Sequence, residues 1–377
     1  MRTEKFMNTI TENSTIGEID LGISRSDLIL ITGSNGFIGT RVVKTLLDYG
    51  FINLRLFVRK KSDVTNLERV IGLYKKAYVD IFTGDLLTQE DCIKLTEEVR
   101  IIYHLAAAMR DTSFESSFLN NVITIENLLK AVSQHSCLRR FVHVSSFAVY
   151  SNVRLNRNSL LDESCDIESD PVGRGDAYCN SKIKQEELVT SYCKKHMISY
   201  TIIRPGVVYG PGQDGMHRMI GRMKGIGRVN LFFHLGGKNI LPLSYVDNCS
   251  DAIVLAGLKV KADGEVFNIV DDDLLTSRDF LKLYQKNVQN IFSINIPFGI
   301  FYMLCYLVEL LSKLTNRGQL KATFNRKKCS HYYKGNQYTN LKLKKLLQWE
   351  PKVGLERALN LYFEYQKTKG DWELHSR

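Results

Sequence analysis

Tyr178 and Lys182 stand four residues apart in "YCNSK", inside a stretch, 177–196, whose pattern predicts a helix. That spacing puts both side chains on one helix face. A cation beside a phenol favours phenolate and draws its pKa down from about 10. A tyrosine tuned in this way can pass a proton near neutral pH, as general acid–base catalysis requires. "VSSFAVY" adds the hydroxyls of Ser145 and Ser146 at the end of a strand-like run, 139–146. A hydroxyl there can hold a reacting oxygen, or simply satisfy loose backbone at a strand end. "TGSNGFIG" adds Gly33, Gly36 and Gly39 between a short apolar strand, 28–32, and a helical pattern carried by Phe37, Ile38, Val42, Val43, Leu46 and Leu47. Glycines at that junction permit a sharp turn. They also let an anion reach a helix N-terminus, where free N–H groups and the dipole favour negative charge. The spacing G-x-x-G-x-x-G departs from the usual G-x-G-x-x-G fingerprint. His104, within an apolar strand end, reads as a packing residue.

These residues need elements to bring them together. Strand patterns at 28–32, 54–58, 77–86, 100–108, 139–146 and 198–205 alternate with helical ones, including 90–99, 118–135 and 177–196. Such alternation predicts an α/β fold with a doubly wound parallel sheet of Rossmann type. Ligands of these sheets bind outside the carboxyl ends of the strands. The glycine turn, Asp85, Ala106, Ser146 and Pro205 all fall at those ends. Beyond 205 the pattern loosens. The expected organisation is an N-terminal extension, 1–26, a dinucleotide-binding domain, 27–205, and a smaller mixed α/β lobe, 206–377, interleaved with the first. A basic stretch in that lobe, with His217, Arg218, Arg222, Lys224 and Arg228, reads as helix-like. It suits a diphosphate as well as a solvated face.

The 377 residues carry a net charge of +11, which suits a polyanionic ligand or an acidic surface. No basic repeat or aromatic–basic motif points to nucleic acid. The eight cysteines form no C-x-x-C, so neither a disulfide framework nor a zinc site is indicated and no metal is expected. A reducing, cytoplasmic compartment follows. Residues 1–26 lack the apolar core of a secretory signal. Residues 294–311 are uncharged up to Glu309, short of the roughly 20 residues a spanning helix needs. A buried helix suits that length better than one dipping into a membrane surface, which would give peripheral membrane contact.

The motifs "TGSNGFIG", "GDL" (84–86), "YHLAA" (103–107), "VSSFAVY", "YCNSK" and "RPGVVYGPG" (204–212) come in an order that resembles the extended short-chain dehydrogenases/reductases. The chain is similar to the NAD(P)-dependent sugar epimerase/dehydratase family over residues 27 to 270. The resemblance implies a nicotinamide dinucleotide cradled by Gly33, Gly36 and Gly39, with Asn35, Phe37 and Ile38 in the same turn. Asp85 and Leu86 would flank the adenine. Leu105, Ala106, Ala107 and Ser145 would line the cleft, and Pro205 and Val207 would border the nicotinamide. Tyr178 would be the acid–base, Lys182 would hold the ribose and lower the tyrosine pKa, and Ser146 would bind the reacting oxygen. Asn121 matches a family asparagine near the active site, and Arg218 is the candidate for the substrate diphosphate. A homodimer through the helices at 118–135 and 177–196 is also implied.

Two features narrow the reaction. "FVRKKSD" places Arg59, Lys60 and Lys61 where NAD enzymes usually carry an acid, so NADP(H) is favoured over NAD(H), although Asp63 can still curl back to a ribose. Phe147 and Ala148 occupy the positions where related dehydratases carry Asp-Glu, which argues against dehydration. The resemblance then implies a nucleotide-sugar 4-epimerase or 4-ketoreductase. Leu241, Pro242 and Leu243 replace a nucleotide-gripping Arg-Asp-Phe. "PLSYVDNCSDA" also resembles the 3β-hydroxysteroid dehydrogenase branch, whose substrate would be a sterol or lipid-linked alcohol. A non-catalytic dinucleotide binder is the remaining reading, and the intact Ser146, Tyr178 and Lys182 argue against it.

Overall fold

The computed structural model describes residues 23–109, 113–226, 229–315 and 324–375. Most of the expected extension 1–26, and Arg228, lie outside these residues. Seven strands form one parallel sheet: β1 (Ile29–Thr32), β2 (Asn53–Arg59), β3 (Tyr78–Gly84), β4 (Ile101–His104), β5 (Arg140–Val144), β6 (Tyr200–Pro205) and β7 (Val266–Ile269). Their spatial order is β7-β6-β5-β4-β1-β2-β3. The order reverses between β1 and β4, which opens a crevice at their carboxyl ends. The chain is therefore the doubly wound α/β fold that its sequence pattern predicts.

Helices α1 (Phe37–Asp48), α2 (Gln89–Thr96), α3 (Thr124–Val132), α4 (Ala177–Lys195) and α5 (Val246–Leu258) cover the sheet. Side chains of a strand alternate between faces. Ile29 and Ile31 accordingly pack with Val42 and Val43 of α1 and Ile253 of α5, whereas Leu30 packs with Leu95 of α2, Leu128 of α3 and Val189 of α4. Both faces are apolar, which is why the strands read as unbroken hydrophobic runs. The stretch expected as one helix over 118–135 is broken: Phe118–Ile123 is a π-helical segment between Phe114–Ser117 and α3. A π turn offsets the backbone hydrogen-bond ladder. The Asn121 carbonyl there is taken instead by the Gln185 amide of α4, at 2.7 Å.

The second lobe is built on an antiparallel pair, Gly221–Ile226 with Val229–Gly236, extended in parallel by Ser293–Pro297. This corrects the helix-like reading of the basic stretch. His217 and Arg218 lie in a turn, and Arg222 and Lys224 lie on a strand. Alternation along "RMKGI" loses to pairing with the apolar "LFFHL" strand, a partner that a local window does not contain. From beyond residue 205, β7 joins the seven-stranded sheet and α5 packs against it. Two further helices, α6 (Phe298–Thr315) and α7 (Arg326–Tyr333), pack on each other through Cys305, Cys329 and Tyr333. The buried-helix reading of 294–311 is corrected as well. Ile300, Met303, Leu304, Leu307 and Leu310 of α6 are between 39% and 59% exposed.

One contact fixes α5 on the sheet. A Cβ at Gly257 would lie 2.1 Å from the Tyr103 hydroxyl, which donates to the Val254 carbonyl. Gly257→Ala should therefore destabilise the protein by about 3 kcal/mol, since a methyl forced into a packed core displaces its neighbours. Urea unfolding checks this, and a loss below about 0.5 kcal/mol would show that the helix rides free of Tyr103.

Candidate active site

Tyr178 enters the site from the first turn of α4. Asp176 caps that helix by accepting the Cys179 N–H at 3.0 Å. The same carboxylate meets Arg174 at 3.2 Å. Arg174 is fully buried, and its guanidinium also donates to the carbonyls of Ala148 and Tyr150. The segment before Tyr178 is thus tied to the segment after Ser146. Arg174 and Asp176 lie outside the motifs legible in the sequence. The available signal is Asp176 at a capping position just before "AYCNSK".

Ser146 is close enough to the Tyr178 phenol to favour its ionised form. The Ser146 oxygen accepts from the Ala148 N–H at 3.1 Å, the strand-end role. Lys182 lies one turn on, fully buried. Its Nζ sits 5.9 Å from the Tyr178 ring centre and donates to the Val144 carbonyl at 2.8 Å. Burial pushes the lysine down to about 7, with Glu186 pulling the other way. Burial also raises the Tyr178 phenol above its usual value, while Ser146 lowers it. This corrects the expectation of a phenol drawn down by its lysine. An ammonium starved of water is half neutral near pH 7 and projects a weak positive field.

Asn121 is fully buried, with both ends of its amide engaged. Its oxygen accepts the Ala108 N–H at 2.6 Å, and its nitrogen donates to Ser181 at 3.0 Å. The residue links α4 to the loop after β4, a positioning task rather than a contact with substrate. Glu186, one turn beyond Lys182, holds Arg204 of β6 through bonds of 2.9 and 2.6 Å. His104 is buried against Thr32, its Nδ1 2.9 Å from the hydroxyl, and burial holds its pKa down at about 3, as suits a packing residue.

The glycine turn lies across from this group. Gly33 has φ +70°, and a Cβ there would fall 2.8 Å from the Ala106 nitrogen. At Gly39 a Cβ would fall 2.0 Å from the Gly33 carbonyl. Gly36 precedes α1 with no side-chain cap, which leaves N–H groups of the first turn for an anion. The Ser145 hydroxyl is buried with no hydrogen-bond partner. A cradle that only backbone fits, an uncapped helix and an orphaned hydroxyl suit a dinucleotide.

The remaining expected contacts divide by placement. Leu105 and Ala106 donate their N–H groups to Thr32. Ala107 lies half-buried beside them, and Pro205 and Val207 are buried at the end of β6. Phe37 packs on Gly212. Asn35 turns to the Asp63 carbonyl at 3.2 Å, while Ile38 and Leu86 pack into the core. Asp85 accepts the Leu87 N–H at 2.9 Å, and Arg59 is exposed at the end of β2. Arg218 is exposed, and its carbonyl accepts from the Tyr333 hydroxyl.

Known proteins resemble this chain over most of its length. The model of the NAD dependent epimerase/dehydratase family matches residues 29–270. A sterol-4-alpha-carboxylate 3-dehydrogenase (decarboxylating) of Candida albicans is 25% identical, covering 89% of this chain and 97% of its own. An N-acetyl-alpha-D-glucosaminyl-diphospho-ditrans,octacis-undecaprenol 4-epimerase of Escherichia coli O157:H7 is 26% identical over 78% of this chain and 82% of its own. Among solved structures, a UDP-glucuronic acid 4-epimerase from Bacillus cereus, in complex with UDP-glucuronic acid and NAD, superposes with a TM-score of 0.68 at 21% identity. It covers 91% of this chain and 99% of its own, a likeness of fold.

The buried lysine makes a thermodynamic prediction. Its pKa falls from 10.5 when unfolded to about 7 when folded. Between those values the unfolded chain binds more protons, so stability rises with pH. The penalty is fully present below about pH 7 and gone above about pH 10.5. Lys182→Met should therefore stabilise the fold by a few kcal/mol at pH 7, with the gain shrinking toward pH 10. Denaturation at both pH values reads this, and a loss of stability at pH 7 would count against it.

Proposed function

The chain belongs to the NAD dependent epimerase/dehydratase family and is an NAD(P)-dependent enzyme of the extended short-chain dehydrogenase/reductase type, and we propose that it interconverts a ring carbinol and a ketone on a sugar diphosphate, as a 4-epimerase or 4-ketoreductase. The observation that carries this reading is the grouping of Ser146, Tyr178 and the buried Lys182, whose Nζ lies 5.9 Å from the Tyr178 ring centre, on the same parallel sheet as the glycine turn. A bound nicotinamide supplies the hydride acceptor and donor. Ser146 holds the carbinol oxygen. Tyr178 takes the carbinol proton in the oxidative direction and returns it in the reductive one. Lys182, fixed on the Val144 carbonyl, is placed to reach the ribose and to favour phenolate when protonated. Phe147 and Ala148 offer no acid for removing water, so the ketone is reduced rather than dehydrated.

A second reading, a sterol or lipid-linked alcohol as substrate, is favoured by one observation. Leu241 and Leu243, at the positions where the resemblance implies a nucleotide-gripping Arg-Asp-Phe, are apolar and buried in the core. The named relatives that act on a sterol and on an undecaprenol-linked sugar support it. For the cofactor, NADP(H) is the preferred form. Arg59, Lys60 and Lys61 are exposed beyond β2, while the Asp63 carboxylate accepts the Thr65 N–H at 2.9 Å and is held below its usual pKa by that bond. A homodimer is supported by Phe118 and Leu119, which are 39% and 47% exposed beside α4. Eight free cysteines support a cytoplasmic site.

Tyr178→Phe should lower turnover about a thousandfold and leave cofactor binding intact. Unchanged turnover would remove the tyrosine from the chemistry, and with it the reading. Arg59→Glu should weaken NADPH about tenfold and NADH little, because a lost guanidinium–phosphate pair affects only the phosphorylated form. Equal effects on both, measured by fluorescence titration, would mark the basic run as merely solvated.

A further inference from the structure

Helix α6 carries its apolar residues on the wrong side for a globular protein. Ile300, Met303, Leu304, Leu307 and Leu310 recur at helical spacing and face outward over about three turns. The inward side holds Phe301 against Tyr333 and Cys305 against Cys329. The one carboxylate of 294–311, Glu309, is turned in to Arg326, accepting from its backbone N–H at 2.7 Å and its Nε at 2.9 Å. The outward stripe is therefore wholly uncharged. Contiguous exposed apolar stripes of this kind mark interaction surfaces.

The charge around it chooses the occupant. Between residues 294 and 336 the sequence has seven lysines and arginines against the single Glu309. An uncharged stripe in a segment with that excess, on a chain of net charge +11, fits the interface of an anionic bilayer. A second copy of the chain would bring the same positive excess against itself. No helix among the described residues is long and apolar enough to cross a membrane, so α6 would lie along the surface.

We propose that the outward face of α6 seats this protein on an anionic lipid surface, and that the active site takes an amphiphilic alcohol from that surface. Position supports the second half. α7 neighbours both α6 and the catalytic tyrosine: Tyr333 packs on Phe301, while the adjoining Tyr332 acts electrostatically on Tyr178. The stripe and the tyrosine thus share one neighbouring helix. Docking is independent of the reaction, whereas the amphiphilic substrate rests on the reading of the site as a carbinol oxidoreductase.

Flotation of the full chain tests docking. Vesicles of phosphatidylglycerol mixed with phosphatidylcholine should carry the protein to the top of the gradient, and added salt should weaken this. Phosphatidylcholine alone should carry about tenfold less. The double variant Leu304→Glu/Leu307→Glu should lose about tenfold in binding and keep the wild-type melting temperature. If that variant melts early, Leu304→Trp reads the same contact, through quenching by brominated phospholipid. No flotation, flotation undiminished in the double variant, or an unquenched Trp overturns docking. So does a sedimentation dimer that the double variant dissolves, which would make a second copy the occupant. Turnover of a soluble sugar nucleotide without vesicle binding overturns docking and leaves the site reading standing. Vesicle binding with no hydride transfer on any alcohol upholds docking and overturns the site reading.

Discussion

A lysine with no water around it is costly to fold, and the carboxyl-terminal end of the sheet is arranged around that cost. Lys182 reaches the Val144 carbonyl through the gap between α4 and β5. It stays there because α4 is clamped along its length. Asp176 caps its start, Gln185 takes the carbonyl freed by the π turn, and Glu186 holds Arg204. Each clamp is a hydrogen bond between buried groups, where a lost partner leaves an unsatisfied charge or dipole. The helix has one register in which all are made. In that register Tyr178 meets Ser146.

The glycine turn works by the opposite means, through closeness of backbone. Gly39 touches the Gly33 carbonyl and Gly33 touches the loop after β4, so β1, β4 and α1 converge with no side chain between them. Backbone N–H groups are left facing the crevice, where an anion can replace the missing cap. The two halves of the site come from distant parts of the chain. They share the carboxyl edge of one parallel sheet, and the sheet's strand order sets the distance between them.

The second lobe follows a different rule. Its small sheet and its helices bury aromatic residues against one another, Phe280, Tyr284, Tyr362 and Phe363 among them, and leave the outward stripe of α6 uncovered. An exposed apolar stripe disfavours the isolated protein in water.

Much of this was legible in the residues themselves. Ile29 to Thr32, the glycines and the apolar spacing of α1 specify a strand, a turn and a helix by local rules, and repetition of that unit specifies a parallel sheet. Tyr178 and Lys182 share a helix face by spacing alone. Four matters were decided only by tertiary contacts. Arg222 and Lys224 joined a strand because a distant apolar strand offered pairing. Asn121 became a buried link because the π turn points it at Ala108 and Ser181. The phenol rose because burial, set by the whole fold, outweighs the stabilising effect of Ser146. α6 turned its leucines outward because Cys329 and Tyr333 of α7 cover only the other side. Periodicity and composition act over a few residues and are written in the sequence. Solvent exclusion and pairing belong to the assembled molecule, where the neighbours that exclude the water lie far away along the chain.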